Sequence, residues 1–483
     1  MPLRICFVTA ELAPMAKVGG LADVAAALLK YLTAAGHDLR LFMPAYSGID
    51  RTTLDIHPVD FMQQLLVRIG ARDYPFSVLT ARMPGSRAHF FLIDCPACFS
   101  HPGIYSGDPL EYRRFLLLTH AAFMCCQRMG FAPQILHCND WHTALAPLWL
   151  RTIYRWDRLF ANTRSVLTIH NLGYQGIVGA NHSAELLAGA EASLLHQPDL
   201  HAGHINMLRT GVQYADQLTT VSPSYAREIL TAEYGMGLEH TLQSRSGALI
   251  GILNGVDYEE WDPRHDRYLP RHFGPGQLRV KAEFKRRLLA RLGLAHAARR
   301  PLVGIISRLA TQKGFDLLIE ALPPLLAARD FNLVVLGAGE PHYEDFFMRL
   351  QREHAGRVHF HRGYDNELAH WIEAGSNMFL MPSRYEPCGL NQLYSLRYGA
   401  VPIVRRTGGL ADTVTHYDGE GGTGVVFDHY NAEAVTWAMN AAFDLYLQPA
   451  RWRRLVRNGM VQDFSWQSRV QQYCDMYQRL VQR

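Results

Sequence analysis

Two segments of the sequence combine basic side chains with glycine, a combination that suits phosphate binding. Lys17 precedes Val18-Gly19-Gly20, and Arg308 lies five residues before Lys313, which is itself followed by glycine. Glycine lets backbone N–H groups approach an anion at the start of a helix. A guanidinium beside an ammonium suits a diphosphate. The alternative for each segment is a turn at a helix start whose charges are solvated.

Polar and aromatic side chains follow two apolar runs in the N-terminal half. Asn139-Asp140-Trp141-His142 follows one run, and His170-Asn171 follows the next. Aromatic faces cover the C–H surfaces of sugars, while amides and carboxylates bind sugar hydroxyls. A single histidine in such a place is more often structural. Two such clusters at predicted strand ends in one half of the chain favour a carbohydrate site.

Glu386 lies in the segment 382–390, which follows a third apolar run and contains two prolines. The prolines stiffen the segment, and a helix is predicted directly after it. The helix dipole would favour an ionised carboxylate near that helix N-terminus. Glu386 is therefore a candidate for substrate binding, and helix capping is the alternative.

Other nucleotide and metal motifs are missing or incomplete. A GxxxxGK[ST] P-loop is excluded because no lysine follows a glycine. Gly337-Ala338-Gly339-Glu340-Pro341-His342 has histidine in place of the final glycine, which disfavours a dinucleotide-dependent dehydrogenase. Cys95 and Cys98 form a single CxxC with no second pair, so we predict a turn there and no metal.

The elements that must position these residues alternate between short apolar runs and helical stretches, which predicts α/β structure with parallel sheets covered on both faces. Ligands of such sheets bind beyond the C-terminal ends of the strands, where the candidate segments lie. A helix is predicted from Leu21 to Ala35. The predicted strands are Arg4–Thr9, Leu39–Met43, Phe90–Asp94, Gln134–Cys138, Ser165–Ile169, Gln217–Val221 and Leu249–Leu253, followed by Leu302–Ile306, Asn332–Leu336, Val358–His361, Met378–Met381 and Pro402–Arg405.

These two series of strands predict two Rossmann-like, doubly wound domains that face each other across a cleft. Gly19-Gly20-Leu21-Ala22-Asp23 recurs as Gly408-Gly409-Leu410-Ala411-Asp412, each time between a predicted strand and a helix, which supports two related halves. We expect an N-terminal domain over residues 1–250, a C-terminal domain over 251–463 and a terminal helix over 464–483. The segment 257–276 is expected to be an irregular connection.

Composition limits the class of protein. A chain of 483 residues should form two or three domains, and its 48% apolar and 19% charged residues are typical of a globular enzyme. The net charge of +4 is too small for a nucleic-acid binder. No apolar stretch approaches the roughly 20 residues of a membrane helix. Cys6, Cys125, Cys126 and Cys138 read as buried thiols, so we expect a cytoplasmic enzyme.

The motifs together closely resemble those of bacterial glycogen synthases, within the ADP-glucose-using glycogen and starch synthase family of GT-B glycosyltransferases. The resemblance runs from Ile5 to about Trp466 and keeps the family's order and spacing. The motifs are Lys17-Val18-Gly19-Gly20-Leu21, His170-Asn171 with Tyr174-Gln175-Gly176, Val221-Ser222-Pro223-Ser224-Tyr225, Asn254-Gly255-Val256-Asp257, Ser307-Arg308-Leu309 with Gln312-Lys313-Gly314, Glu386-Pro387-Cys388-Gly389 and Arg406-Thr407-Gly408-Gly409-Leu410.

The resemblance implies a GT-B fold and a reaction. Glucose would be transferred from ADP-glucose to the non-reducing 4-OH of an α-1,4-glucan such as glycogen, with retention of configuration. The N-terminal domain would be the glucan side and the C-terminal domain the nucleotide-sugar side, with the terminal helix crossing back to the N-terminal domain. The implied route is front-face, and the diphosphate oxygen takes the acceptor proton. No cofactor, metal or obligate protein partner is predicted.

The resemblance also implies a role for each motif residue. Arg308 and Lys313 would hold the diphosphate, helped by backbone N–H groups of residues 408–410, and Tyr364 would lie against the adenine. The residues implied to act in catalysis are Glu386, Arg308, Lys313, His170 and Asp140. The residues implied to bind substrate are Lys17, Gly20, Asp23, Tyr105, Asn171, Asn254, Tyr364, Cys388, Gly408, Gly409 and Leu410.

Two other functions are compatible with parts of this pattern. A related GT-B enzyme could use another nucleotide sugar or acceptor, and turnover with ADP-glucose against UDP-glucose distinguishes it. Asn139, Tyr385 and Asn391 stand where many family members have histidine, phenylalanine and threonine, which leaves the acceptor preference open. A catalytically silent glucan-binding protein should have lost its charged site residues, whereas Arg308, Lys313 and Glu386 are present.

Overall fold

The computed structural model describes residues 2–52, 54–101 and 103–482, and the chain divides into two compact units. Unit 1 comprises Met1–Val221, Ala226–Leu253 and Trp466–Arg483. Unit 2 comprises Ser222–Tyr225 and Asn254–Ser465. The main change from unit 1 to unit 2 therefore lies at Leu253 and Asn254, three residues beyond the expected border.

A large sheet forms the centre of unit 1. In chain order the strands of this unit are β1 (Arg4–Val8), β2 (Asp38–Pro44), β3 (Ile56–Pro58), β4 (Leu65–Ile69), β5 (Arg72–Arg82), β6 (His89–Asp94), β7 (Ile135–Asn139), β8 (Arg164–Ile169), β9 (Ile177–Gly179), β10 (His204–Asn206), β11 (Gln217–Thr220) and β12 (Leu249–Gly251). The large sheet has the order β12-β11-β8-β7-β1-β2-β6-β5-β3, with β4 paired to β5. The first seven strands in this order, from β12 at the edge to β6, pair with their neighbours in parallel. Strand β5 pairs with β6, β3 and β4 in antiparallel fashion.

The central parallel strands β1, β7 and β8 are buried on both faces, which explains their continuous apolar runs, whereas β12 at the edge is half-buried. The strand order reverses between β1 and β7, because β1 is followed along the chain by β2 on one side and later by β7 on the other. The helices that accompany these strands are α1 (Gly20–Ala34), α2 (Pro96–Phe99), α3 (Tyr112–Arg128), α4 (Ala146–Arg151), α5 (Ser183–Leu187), α6 (Gln197–His201), α7 (Met207–Tyr214), α8 (Pro223–Glu228) and α9 (Glu239–Ser244).

Unit 2 is built around a second, parallel sheet. Its strands are β13 (Leu302–Ile306), β14 (Asn332–Gly337), β15 (Val358–Arg362), β16 (Met378–Met381), β17 (Val401–Arg405) and β18 (Val425–Phe427). They lie in the order β15-β14-β13-β16-β17-β18, which is the order 3-2-1-4-5-6 of Rossmann-like folds. The helices are α10 (Leu278–Arg291), α11 (Phe315–Ala328), α12 (Pro341–Glu353), α13 (Asn366–Gly375), α14 (Asn391–Tyr398), α15 (Gly408–Thr413), α16 (Ala432–Tyr446) and α17 (Pro449–Met460).

The last helix, α18 (Trp466–Val481), is grouped with unit 1. The hydroxyl of Tyr477 lies 2.6 Å from His137 Nδ1 in β7, and Cys474 Sγ lies 3.3 Å from the ring of His37. The sequence spaces Val470, Tyr473, Met476, Tyr477 and Leu480 mostly three and four residues apart, which predicts one apolar stripe on this helix. Four of these five residues are buried, and Val470 is half-buried. The stripe is therefore covered by elements from the beginning of the chain.

The structure confirms the predicted doubly wound α/β class. The segment 257–276 is irregular, as predicted, since the next helix begins only at Leu278. All eight cysteines are buried with free thiols, which confirms the interpretation of the four in apolar runs. Cys95 and Cys98 flank and enter the short helix α2 rather than a bare turn. No helix among the described residues is both long and apolar enough to span a membrane.

Candidate active site

The loops that follow β13 and β16 are neighbours at the point where the strand order of unit 2 reverses, which is where such sheets form a ligand crevice. The loop after β13 carries Arg308 and Lys313, and the loop after β16 carries Glu386. The N–H of Arg384 donates to the carbonyl of Gln312 across 2.9 Å, which ties the two loops together.

Lys313 and Glu386 form an ion pair at the centre of these loops. Lys313 Nζ lies 2.6 Å from Glu386 Oε2 and 2.9 Å from Oε1, and Ser383 Oγ donates to Oε2 across 3.0 Å. The carboxylate is buried, whereas 20% of the Lys313 side chain is exposed. The helix-capping alternative for Glu386 is wrong, because the N-cap of α14 is Leu390 and the carboxylate binds lysine and serine instead.

Two glycines allow these loops to pack closely. Gly314 has φ +78°, and a Cβ there would lie 2.1 Å from the carbonyl oxygen of Pro382. A Cβ at Gly409 would lie 2.1 Å from the carbonyl oxygen of Cys388. Any larger residue would push the loops apart, so the glycine after Lys313 and the second glycine of the 408–409 pair set the spacing of the site.

Two backbone N–H groups at the N-terminus of α15 have hydrogen-bond partners within unit 2. The N–H of Gly409 donates to the carbonyl of Glu386, and the N–H of Leu410 donates to the carbonyl of Thr407, each across 3.0 Å. The resemblance implied that these groups, with that of Gly408, would hold a diphosphate. The Gly409 contact joins the start of α15 to the loop after β16, whereas the Leu410 contact is a local turn at the helix start.

The remaining candidates of unit 2 lie at different places. Arg308 is exposed directly after β13, and Cys388 is buried in the loop after β16. Tyr364 follows β15, two strands away from β13, and its ring is 65% exposed. Asn254 opens the main segment of unit 2 and is buried, and its Oδ1 has no hydrogen-bond partner in the described part of the chain.

In unit 1 the candidates follow β1, β7 and β8, which are neighbours in the sheet. The side-chain amide of Asn139 donates to the carbonyl of Val8 across 3.0 Å, and its Oδ1 lies 2.9 Å from His170 Nε2. Asp140 Oδ1 accepts the backbone N–H groups of His170 (2.7 Å) and Asn171 (3.4 Å). The two polar clusters of the sequence therefore form one group.

The contact with Asn139 defines the protonation of His170. Since the Asn139 amide nitrogen donates to Val8, its oxygen must accept, and His170 Nε2 carries the proton. Burial lowers the pKa of His170 to about 3, so the ring is neutral. Its Nδ1 is buried and accepts no hydrogen bond from the described residues. His170 thus offers a hydrogen-bond acceptor that suits a hydroxyl group.

Asp140 combines an unusual backbone with an unusual acidity. Its φ is +51°, a backbone conformation that residues other than glycine rarely adopt. Burial raises the pKa of its carboxyl to about 7, although the hydrogen bonds from His170 and Asn171 oppose the shift. Strain and a perturbed carboxyl at a strand end are typical of functional positions.

Glu11, which sequence reasoning missed, completes the site of unit 1. Its Oε2 accepts the N–H groups of Val18 (2.7 Å) and Gly19 (3.1 Å), and its Oε1 accepts the hydroxyl of Tyr105 (2.5 Å). The N–H groups that were expected to bind an external anion thus bind a carboxylate of the chain itself. The only signal in the sequence is an acidic residue between a strand and a glycine that precedes a helix.

The other expected residues of this loop lie beside that contact. Lys17 Nζ forms a 2.7 Å ion pair with Asp23 Oδ1, which lies in the first turn of α1. Gly20 is the first residue of α1. Burial raises the pKa of Asp23, and the charge of Lys17 opposes the rise. Among the described residues, no group of three or more His, Cys, Asp or Glu side chains could hold a metal ion.

Comparison with known families assigns both units to glycosyltransferases. The family model of the starch synthase catalytic domain matches residues 4–244, and that of glycosyl transferases group 1 matches residues 291–458. The catalytic domain of starch synthase IV from Arabidopsis thaliana, solved with ADP and acarbose, superposes with a TM-score of 0.93 at 34% identity and covers 100% of both chains. The protein is therefore a glycosyltransferase of the GT-B fold.

Curated relatives narrow the assignment. The glycogen synthase of Koribacter versatilis is 42% identical over 487 residues, covering 99% of each chain, and that of Thermotoga maritima is 39% identical with the same coverage. The chain belongs to the glycogen and starch synthase family. Sucrose-phosphate synthase from Thermosynechococcus elongatus, with a TM-score of 0.63 at 18% identity and 99% of both chains covered, shares the fold alone.

Proposed function

We propose that this protein transfers glucose from ADP-glucose to the non-reducing 4-OH of an α-1,4-glucan, with retention of configuration, in glycogen synthesis. The observation that carries the proposal is the match to glycogen synthases over 99% of the chain. The ADP in the Arabidopsis structure supports the choice of donor. The buried free thiols favour the cytoplasm as the place of the reaction.

The main chemical task is to stabilise charge on the departing diphosphate. The bond between the anomeric carbon and the phosphate oxygen breaks, a bond to the acceptor oxygen forms, and the acceptor proton moves to the departing phosphate. Arg308 and Lys313 supply the positive charges for the diphosphate. Such preorganised positive charges stabilise the transition state more strongly where water is excluded. Glu386 holds Lys313 in place and binds the sugar.

His170 and Asp140 are proposed to bind the transferred glucose. The free Nδ1 of His170 accepts a sugar hydroxyl, because Nε2 is committed to Asn139. Asp140 orients that histidine through the backbone N–H of residue 170 and accepts a second hydroxyl. Lys17 and Gly20 are proposed to approach the nucleotide, Asp23, Tyr105 and Asn254 the glucan, and Tyr364 the adenine.

The donor is tested by steady-state kinetics with glycogen as the acceptor. We expect kcat/KM with ADP-glucose to exceed that with UDP-glucose by at least about 10-fold, the discrimination that one missing base contact produces. The incorporated glucose should be released as maltose by an exo-acting α-1,4-glucanase. Equal or faster turnover with UDP-glucose would contradict the proposed donor. Glycogen binding without turnover of either donor would indicate a silent glucan-binding protein.

Glu386→Gln is expected to lower kcat by about 10²-fold, because it removes the charge that orients Lys313 and binds the sugar. Glu373 offers a matched control within unit 2. Its buried carboxyl group, whose pKa burial raises to about 8, also accepts a serine hydroxyl, Ser395 Oγ at 2.8 Å, and Lys281 donates to its backbone carbonyl. Glu373→Gln should leave kcat within about 2-fold of wild type. A Glu386→Gln variant that melts earlier but turns over normally would make Glu386 a structural residue.

A further inference from the structure

Glu11 is a buried carboxylate that joins two separate segments of unit 1. It lies three residues after β1 and is 4% exposed. One oxygen accepts two successive backbone N–H groups, those of Val18 and Gly19, at the N-terminus of α1. The other oxygen accepts the hydroxyl of Tyr105, which lies between α2 and α3. The loop before α1 and the segment of Tyr105 therefore share one acceptor.

Both sides of this contact are held in place by further interactions. The hydroxyl of Thr9 donates to the carbonyl of Glu11 across 2.9 Å and fixes its backbone. The Tyr105 ring stacks on His142, with centroids 5.3 Å apart and planes at 23°. His142 is buried, and burial lowers its pKa to about 3, so its ring is neutral and packs as a flat apolar surface.

The chemistry of the contact explains why a carboxylate is present. Successive N–H groups at a helix N-terminus favour an anion, and the helix dipole strengthens the preference. Glu11 reaches the N–H groups of Val18 and of the N-cap residue Gly19 from seven and eight residues earlier. Removing Glu11 would leave two donors of the loop unsatisfied and the Tyr105 hydroxyl without its acceptor.

We propose that Glu11 is a positioning residue that holds the Lys17–Gly20 loop and Tyr105 in one arrangement without touching the substrate. This inference rests on the proposed glucosyl transfer, because Lys17 and Tyr105 are assigned to nucleotide and glucan in that reaction. Glu11 acts through both residues at once. Their contributions to transfer are therefore coupled through a single carboxylate.

The coupling is measured with Glu11→Ala, Tyr105→Phe and the double variant. Glu11→Ala should lower kcat/KM by between about 10- and 100-fold, the scale of a 1 Å misplacement. The kcat/KM of the double variant should lie within about 3-fold of that of Glu11→Ala, because the Glu11 change already removes the Tyr105 contact. Losses that multiply in the double variant would overturn the proposal.

Chemical rescue separates positioning from general destabilisation. Sodium formate should raise the kcat/KM of Glu11→Ala by at least about 5-fold, since a free carboxylate can accept from the same two N–H groups. Glu185→Gln is the matched control, because Glu185 also accepts a tyrosine hydroxyl, that of Tyr112 at 2.8 Å. It should lose stability, keep its kcat/KM and show no response to formate. A Glu11→Ala variant that does not respond to formate would argue against the proposal.

Hydrogen exchange tests the contact independently of activity. Amides in the peptide 17–23 should exchange at least about 10-fold faster in Glu11→Ala than in wild type, and formate should slow them again. Unchanged exchange would overturn the positioning role even if transfer is slow. If the wild-type protein transfers no glucose from ADP-glucose, the proposed function fails, while exchange still reports whether Glu11 holds the loop.

Discussion

Lys313→Ala is expected to lower kcat by about 10²- to 10³-fold, the loss seen when one donor to developing transition-state charge is removed. The variant removes a cation from the loop after β13, where the leaving diphosphate is proposed to bind. Steady-state kcat with saturating ADP-glucose and glycogen measures the effect. Lys313→Arg should recover part of the loss, because it keeps the charge but not the point geometry of the ammonium.

The ion pair with Glu386 provides the decisive control. Lys313→Ala leaves the buried Glu386 carboxylate with only Ser383 as a side-chain donor among its recorded contacts, so the melting temperature should also fall. Adding Glu386→Gln removes that buried charge and should restore much of the melting temperature without restoring kcat. Recovery of kcat to the level of Glu386→Gln alone would mean that Lys313 serves only to neutralise Glu386.

The buried parallel strands could be predicted closely from the sequence. The bounds of β13 and β16 coincide with the prediction, and those of β1 and β8 differ by one residue. These strands are covered on both faces, so each is a continuous apolar run that ends at polar residues. The antiparallel strands β3, β4 and β5 were not predicted. In β5 exposed and buried residues mix, and Pro75 interrupts the pattern in the part of the strand that pairs with β4.

Short elements were also missed because tertiary contacts define them. Strands β9, β10 and β18 contain three residues each, too few for a periodic pattern. Strand β18 is held by its parallel pairing with β17 rather than by its own sequence. The repeated Gly-Gly-Leu-Ala-Asp segment also opens helices of different length, 15 residues in α1 and six in α15. Local similarity therefore predicted where these helices begin but not where they end.

The site was predictable where side chains follow adjacent strands and less so where backbone groups act. Polar residues after β7 and β8 were expected at one sheet edge, because the ends of parallel strands meet there, and Asp140 contacts the N–H of His170. Glu11 could not be found in this way. Its partners are N–H groups seven and eight residues later, and N–H donors leave no trace in the sequence. The contact of the Gly409 N–H with the carbonyl of Glu386 could not be predicted for the same reason.

The stability of Asp140→Asn relative to wild type is expected to increase as pH rises. Its kcat is expected to be lower than that of wild type. The folded pKa of Asp140 is about 7 against an ordinary value near 3.9, because burial disfavours the carboxylate. Between these values the folded protein binds more protons than the unfolded chain, so the free energy of unfolding of wild type falls as pH rises. Asparagine cannot ionise, and the variant escapes this loss of at most about 4 kcal/mol.

The measurement is the difference in melting temperature between Asp140→Asn and wild type, taken from pH 4 to pH 9. The difference should grow through this window and level off above about pH 7. Asparagine keeps an oxygen for the His170 N–H, yet it loses the charge-assisted bond to a sugar hydroxyl, so kcat should fall about 10²-fold. A gain in stability with loss of activity is typical of a residue retained for function. A flat difference would show that Asp140 titrates as an ordinary carboxyl, and full activity would remove it from the site.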